Sequence, residues 1–432
     1  PMIWKRAVMD TLKDVSRYME NNISEVIAIG ITSQRASIIP VAKDGTPLHD
    51  AIMWQDKRTL QEIDELLSEM SMEDIYHKTG LRANPYFVLP RIMWLRQHGA
   101  DKFKNAYKLM GVQDYVVHCL TGEFKTDHSQ AARTMLMDIH NFSWDADMMK
   151  IGGLTEDKLC DLLPPGSPAG GLSKDAAKYT GLKEGIPVIM CGGDQQNAAV
   201  ALNIIKPGMV EANTGTGSFM ITCTEKPAFD PKIRVICSAS AIAGKWILEA
   251  SIFNTGSMYR WCKEQVYKDM PVTFDHMNED AAGSPVGANG VIVLPHFEGS
   301  AAPYWEAMAK GVIFNLSLGT RREDITRAMI ESIAMEIADN MRLLENATCE
   351  IKAVSIAGGM SQADFYANIQ ASACNKQVVR YESEATSMGA SMTALTSIGV
   401  YSNIEEAFAK MMSKQPDVFE PNPADAVVYD KM

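Results

Sequence analysis

An α/β fold in two domains is what this sequence predicts, on three observations. The chain has 432 residues, more than one typical core holds and enough for two domains that each bury their own. Short β-branched runs alternate with amphipathic helical stretches along its length. Twice an apolar run ends in paired glycines and hands over to helical text, at "GIPVIMCGGDQQNAAVA" (185–201) and "IKAVSIAGGMSQADF" (351–365).

In chain order, "EVIAIGIT" (25–32) and "ASIIPVAKDG" (36–45) read as strands, the second closing on an Asp-Gly turn. "DKRTLQEIDELLSEM" (56–70) reads as an amphipathic helix. "VLPRIMWLRQH" (88–98) is helical with Pro90 in its first turn, where the missing N–H does no harm. "KPGMVEANTGTGSFMITCTEKP" (206–227) is hairpin text, two strand-like runs joined by a glycine-threonine turn. "KWILEASIF" (245–253) and "GVIVLPHF" (290–297) follow as strands. The stretch 323–347 then places Ile325, Met329, Ile333, Ile337 and Met341 four apart, the period of a long amphipathic helix. "EATSMGASMTALTSIG" (384–399) is a small-residue helix. The join falls near Leu202 and Asn203, giving domains at 1–202 and 203–432.

Composition narrows the function class. A formal net charge of -12 argues against a general nucleic-acid or anionic-membrane binder, since a like-charged surface repels both. No stretch approaches the roughly 20 consecutive apolar residues of a membrane span, and the opening "PMIWKRAVMDTLKDV" lacks a signal-peptide apolar core, so a cytoplasmic enzyme is expected. The eight cysteines form no CxxC pair and read as reduced, buried thiols; no HExxH is present and the eight histidines show no ligand spacing, so no protein-held metal is expected. The 28 methionines are dispersed and read as core filling.

Three glycine corners carry the chemistry: "GGD" (192–194), "TGTGS" (214–218) and "AGG" (357–359). Glycine lets backbone N–H groups approach phosphate oxygens with no side chain between, although glycines that merely end strands would look the same. "TGTGS" does not complete GxGxxG and joins two strands, which speaks against a dinucleotide fold and a dehydrogenase; no GxxxxGK[ST] loop is present. Asp194 stands where α/β proteins place reactive groups, at the carboxyl end of a buried strand, and it is equally placed to cap the following helix. "GITSQRAS" (30–37) and "AIMWQDKRT" (51–59) offer Gln34, Arg35, Trp54 and Asp56 as a cleft wall or as solvated turns, and Ser129 and Arg133 are similarly ambiguous.

Taken together, "GITSQRASIIPVAKDGTPLHDAIMWQDKRT", "TGLRANPYF", "AARTMLMDIHNFSWD", "GGDQQNAA", "EANTGTGSFM", "AAPYWEAMAKGVIFNL" and "AGGMSQADF" occur in an order that resembles the FGGY family of carbohydrate kinases, nearest its glycerol kinase branch. The resemblance spans nearly the whole chain. It implies an actin-like ATPase fold, two ribonuclease-H-like domains with an inter-domain cleft, and ATP- and Mg2+-dependent phosphorylation of a small polyol or sugar. Asp194 matches the family's general base. Arg35, Trp54, Tyr86, Gln195 and Phe219 match residues around the acceptor, and Gly215, Thr216, Gly256 and Gly359 match the nucleotide site. For assembly the resemblance implies a homodimer.

Four departures qualify it. Ala36 replaces the Glu expected beside Arg35 in glycerol kinases, which removes a hydroxyl acceptor and favours a larger polyol or a xylulose-type ketose. Arg260 and Ala363 replace a Gln and an Asn near the adenine site, and Arg91 stands where the first family signature usually has Lys. No DxGT phosphate turn opens the chain, so an amino-terminal hairpin of the family is missing from this sequence. If this sequence is the whole molecule, impaired folding of its first domain and little kinase activity are expected, and a catalytically silent nucleotide- or sugar-binding protein is the alternative reading.

Overall fold

The apolar run before the first glycine corner forms the middle strand of a small sheet, and its alternation decides what covers each face. The computed structural model describes residues 1–432 except Ala307 and Ser383, with Asn21 described by its backbone only; Ala307 lies within the quoted "AAPYWEAMAK" stretch. Strand β1 (Ile29–Ser33) runs parallel to the central strand, β2 (Pro168–Gly171) runs antiparallel to it, and the centre is β3 (Pro187–Gly193). Val188 and Met190 face Val116, Val117 and Leu120 of the helix Val112–Thr121. Ile189 and Cys191, pointing the other way, meet Ala390 and Ala394. A central strand buried on both faces reads as one continuous apolar run, which is why the sequence showed no alternation there.

The second sheet has seven strands: β4 (Met209–Thr214), β5 (Ser218–Thr224), β6 (Ile236–Ala239), β7 (Trp246–Ile252), β8 (Ala353–Ala357), β9 (Gln377–Arg380) and β10 (Asp417–Phe419), in spatial order β6-β7-β5-β4-β8-β9-β10. The hairpin read from the sequence is present, with Thr214 paired to Ser218 across a three-residue turn.

Five helices matter below: α1 (Val88–His98), α2 (Asp194–Ala201), α3 (Arg322–Ala347), α4 (Asp364–Cys374) and α5 (Ala385–Ser397). Helix α3 buries Met329, Ile333, Ile337 and Met341 fully, as the four-residue spacing predicted, against Val210, Ala212, Met220 and Leu248 of the sheet. Each such side chain contributes about 1.5–3 kcal/mol by leaving water. The opposite sheet face, through Ile221, Cys223 and Ile247, packs on Ala199 and Leu202 of α2. Helix α2 therefore grows out of the first sheet and lies on the second. Its small-residue neighbour α5 approaches so closely that a Cβ on Gly389 would collide with the Asn197 carbonyl. That approach is the use of the Gly, Ala and Ser composition of α5.

Two strands are shorter than the sequence suggests. Residues 20–25 form a 3-10 turn ahead of β1, and only Ile39–Val41 of the second run is strand, paired antiparallel to Lys108–Met110. Six of the eight cysteines are buried and all eight are free thiols.

A buried acid gives the first domain a pH signature. Asp114, 4% exposed, accepts the Gly111 N–H at 2.7 Å. Burial pushes its carboxyl up to about 7, against the lowering effect of that N–H. The folded value lies above the unfolded one of about 3.9, so the folded state holds this proton more tightly. The contribution to stability is full below the unfolded value and is lost as pH rises through about 7. Asp114→Asn, which cannot ionise, should gain in melting temperature relative to the parent between about pH 4 and pH 8. Thermal unfolding at both pH values checks this; a constant difference would contradict it.

Candidate active site

The strand-to-helix corner at 192–194 is held from below by one buried carboxylate. Asp127, fully buried, accepts the Ser129 hydroxyl at 2.6 Å and the Ser129 N–H at 2.8 Å, and its other oxygen takes the side-chain amide of Gln113. Ser129 Oγ in turn accepts the Gly193 N–H at 3.0 Å, and Gln113 Oε1 accepts the Gly192 N–H at 3.2 Å. Gly192 has φ +98°, and a Cβ there would press on Ser129 Oγ at 2.7 Å, so glycine is needed. From the helix side, Asn197 Nδ2 donates to the carbonyls of Cys191 and Gly193, each at 2.9 Å. The Gly192 and Gly193 N–H groups and the Cys191 and Gly193 carbonyls are thus all met by protein groups, which leaves Asp194 fixed at the first residue of α2.

The Asp194 side chain is 35% exposed and Oδ1 accepts the Gln195 N–H at 2.7 Å; the cap position of α2 is taken by Gly193, so Asp194 stands in the first turn and is not the helix cap that its spacing also allowed. Arg35 Nε lies 3.7 Å from the same oxygen. Arg35 is no solvated turn residue: its side chain is buried, and Nη1 donates to Glu249 Oε2 at 2.9 Å. Glu249 Oε1 accepts from Arg133 Nη2 at 3.2 Å. Burial alone would lower the Arg35 pKa, but Glu249, and less strongly Tyr86 and Asp194, raise it overall. For Glu249 burial works against ionisation and the two arginines more than reverse it, so its pKa is lowered. Arg35 and Arg133 come from the first half of the chain and Glu249 from β7, so this triad ties the two sheets together at the cleft floor.

From Arg133 the wall continues upward. Its guanidinium lies 5.5 Å from the Tyr86 ring, Tyr86 and Trp54 have ring centres 5.5 Å apart, and the Trp54 indole N–H donates to Gln34 Oε1 at 3.1 Å. Asp56, by contrast, is committed to Arg58 at 2.8 Å, as the turn reading had it. Phe219 on β5 pairs with Asn213 and Ser251, one rung from Ile221, which is level with Glu249. Phe219 and Glu249 therefore share the sheet face that packs on α2, with Phe219 nearer the 214–218 turn. Gln195 follows Asp194 on α2, with its side-chain oxygen buried.

The other glycine corners converge on that turn. The Gly256 N–H donates to the Gly215 carbonyl at 3.0 Å, the Thr255 and Ser257 N–H groups donate to Thr216 O at 3.2 and 3.0 Å, and a Cβ on Gly256 would collide with Gly215 O. Gly358, at φ +90°, sits against the Thr214 carbonyl, and Gly359 beside it is exposed with open space where a Cβ would be. Gly215 and Thr216 are exposed as well. The Gly215 N–H donates to Gly217 O at 2.9 Å, so these four amides are paired within the corner; what the exposed glycines offer is close approach of a ligand to the backbone. Arg260 is exposed on the helix that begins at Gly256, and Ala363 directly precedes α4.

Glu249, Asp127 and Gln113 were not singled out from sequence. The available signal was a charged residue inside an apolar strand run, "WILEASI", since a charge is seldom fully buried without a partner. Glu211 in "MVEANT" carries the same signal; it is fully buried, and burial first, then Glu249, push its carboxyl well up from the usual range.

Comparison with known proteins matches this arrangement across the chain. Residues 1–201 match the amino-terminal domain of the FGGY family of carbohydrate kinases, and residues 210–398 match its carboxy-terminal domain. The chain belongs to the FGGY family of carbohydrate kinases. A glycerol kinase of Thermococcus onnurineus is 34% identical over 407 residues, 92% of this chain and 80% of that relative. A glycerol kinase of Lactobacillus acidophilus is 31% identical, covering 98% of this chain and 85% of its own. Among solved structures, a ligand-bound xylulose kinase from Lactobacillus acidophilus superposes with a TM-score of 0.90 at 23% identity, over 99% of this chain and 86% of that one. The Plasmodium falciparum glycerol kinase with ADP gives 0.90 at 24% identity, over 98% and 86%. The fold is accordingly the actin-like one in two domains. As a member of this family the protein is a sugar or polyol kinase with ATP as phosphoryl donor. Among the described residues, no helix of this FGGY kinase is long and apolar enough to cross a membrane.

Proposed function

We propose that this kinase phosphorylates a terminal hydroxyl of a glycerol-like polyol or a five-carbon ketose, with Asp194 as general base and the domain boundary at 202/203. The observation that carries this reading is the placement of Asp194, a part-exposed carboxylate on a fully braced corner with buried Arg35 3.7 Å away. Phosphoryl transfer asks the protein for alignment and charge stabilisation, plus a base within reach of the acceptor oxygen. Arg35, Trp54, Tyr86, Gln195 and Phe219 bound the acceptor. Gly215, Thr216, Gly256 and Gly359 bound the nucleotide.

Among the described residues no group of three or more His, Cys, Asp or Glu side chains could hold a metal ion. Mg2+ needs no such group here, because it keeps several waters and is held largely by substrate phosphates, with only one or two carboxylates. Bound to the nucleotide, Mg2+ would neutralise charge on the phosphates. The free thiols fit a cytoplasmic setting.

Ala36 favours the ketose among acceptors. Its side chain offers no acceptor to a substrate hydroxyl, and it is 4% exposed at φ +59° in the loop that carries Arg35. ADP release measured against glycerol, D-xylulose and other small polyols and sugars tests the proposal. Turnover dependent on glycerol or a five-carbon ketose is expected; silence across the panel would overturn the reading. At the donor end, Gly256→Ala pushes the 214–218 turn off its neighbour and should raise the KM for ATP about tenfold, a loss of ~1.4 kcal/mol, with the acceptor KM unchanged. Equal KM values for ATP in parent and variant would remove Gly256 from the nucleotide site.

A further inference from the structure

We infer that Arg91 is the positioning residue of the acceptor wall, the single side chain that sets three separate loops in register. This rests on the acceptor reading above. Arg91 projects from α1, is fully buried, and spends its terminal N–H groups on five backbone carbonyls, while its Nε–H has no partner among the described residues. Nη1 donates to Ala36 O at 2.6 Å and to Tyr86 O at 2.9 Å. Nη2 donates to Trp54 O and Pro85 O, each at 2.8 Å, and at 3.5 Å to Asp56 O. Those carbonyls belong to the loops that carry Arg35, Trp54 and Tyr86, three of the five residues assigned to the acceptor.

The geometry is specific to a guanidinium. Five acceptors divided between two coplanar nitrogens suit a planar fork, whereas a lysine ammonium presents three donors from one point. Among the described residues Arg91 has no carboxylate in salt-bridge contact, so its side-chain partners are carbonyl dipoles. Burial lowers its pKa to about 10, which still leaves it charged at neutral pH. A buried cation whose bonds all converge on three loops acts as a fastener between them, since releasing any loop leaves a donor and a carbonyl unpaired in the interior. Ala36 shows the consequence: its left-handed backbone, unusual for alanine, is held by the shortest of the five bonds.

The test uses Arg91→Lys and Arg91→Met, read by hydrogen exchange and by kinetics. Hydrogen exchange should speed up together in segments 34–38, 52–58 and 84–87 and stay unchanged in the 209–224 hairpin. Steady-state kinetics with glycerol and D-xylulose should show the acceptor KM raised about tenfold or more in Arg91→Lys, with the KM for ATP within about twofold, because small misplacement of positioning groups is costly. Arg91→Lys keeps the charge and most of the volume, so it stands if Arg91→Met fails to fold. Unchanged exchange in the three segments, or an equal rise in both KM values, overturns the inference. Raised exchange in the variants, with the parent protein silent on both acceptors, supports Arg91 as the fastener and overturns the acceptor reading.

Discussion

Asp194→Asn is expected to lower kcat by about 10²–10⁴-fold, the range that a positioned general base supplies. The substitution is close to isosteric and keeps the corner intact. The Gly192 and Gly193 N–H groups are held by Gln113 and Ser129, and the amide oxygen can still accept the Gln195 N–H. What is lost is the capacity to take a proton from the acceptor hydroxyl, together with the charge beside Arg35. Steady-state assays with saturating ATP and acceptor measure the fall directly. A variant that retains more than about a tenth of parental kcat would show that the proton leaves by another route.

Glu249→Ala should cost about 3–5 kcal/mol of stability, because it strands two buried guanidiniums that share one carboxylate. Side chains of Arg35, Arg133 and Glu249 are each 2% exposed, so solvent cannot replace the missing partner. Glu249→Gln keeps the shape and one acceptor oxygen but not the charge, and it should fall between parent and Ala. Both variants release Arg35 from the floor of the cleft, so the acceptor KM should rise in whatever fraction folds. Chemical denaturation with parent, Gln and Ala variants gives the ranking. Equal stability of all three would mean that the triad is solvated in solution and holds nothing.

How much of this was legible in the sequence depends on the distance over which a feature is decided. Helix α3 was readable because its burial follows a four-residue period within one segment, and β3 because an apolar run ending in two glycines has few other uses. The 214–218 hairpin turn was readable for the same local reason. Glu249 was not, since its partners Arg35 and Arg133 lie 214 and 116 residues away and only the meeting of two sheets brings them together. Arg91 drew notice as a departure from a family pattern, but its five carbonyl partners are backbone atoms, which no side-chain pattern announces. Arg35 was left between cleft wall and solvated turn, and its burial settles that it is no solvated turn. The strand expected over 25–32 begins later, at Ile29, because residues 20–25 close a helical turn first.

The most direct test of the central claim is equilibrium binding to Asp194→Asn, by titration calorimetry with ATP and with the acceptor that the parent turns over. If Asp194 is the base on a rigid corner, both ligands bind the variant within about threefold of the parent, a difference under ~1 kcal/mol, while turnover is lost. Loss of acceptor binding in step with turnover would contradict this, making Asp194 a binding residue and leaving the base to be found elsewhere in the cleft.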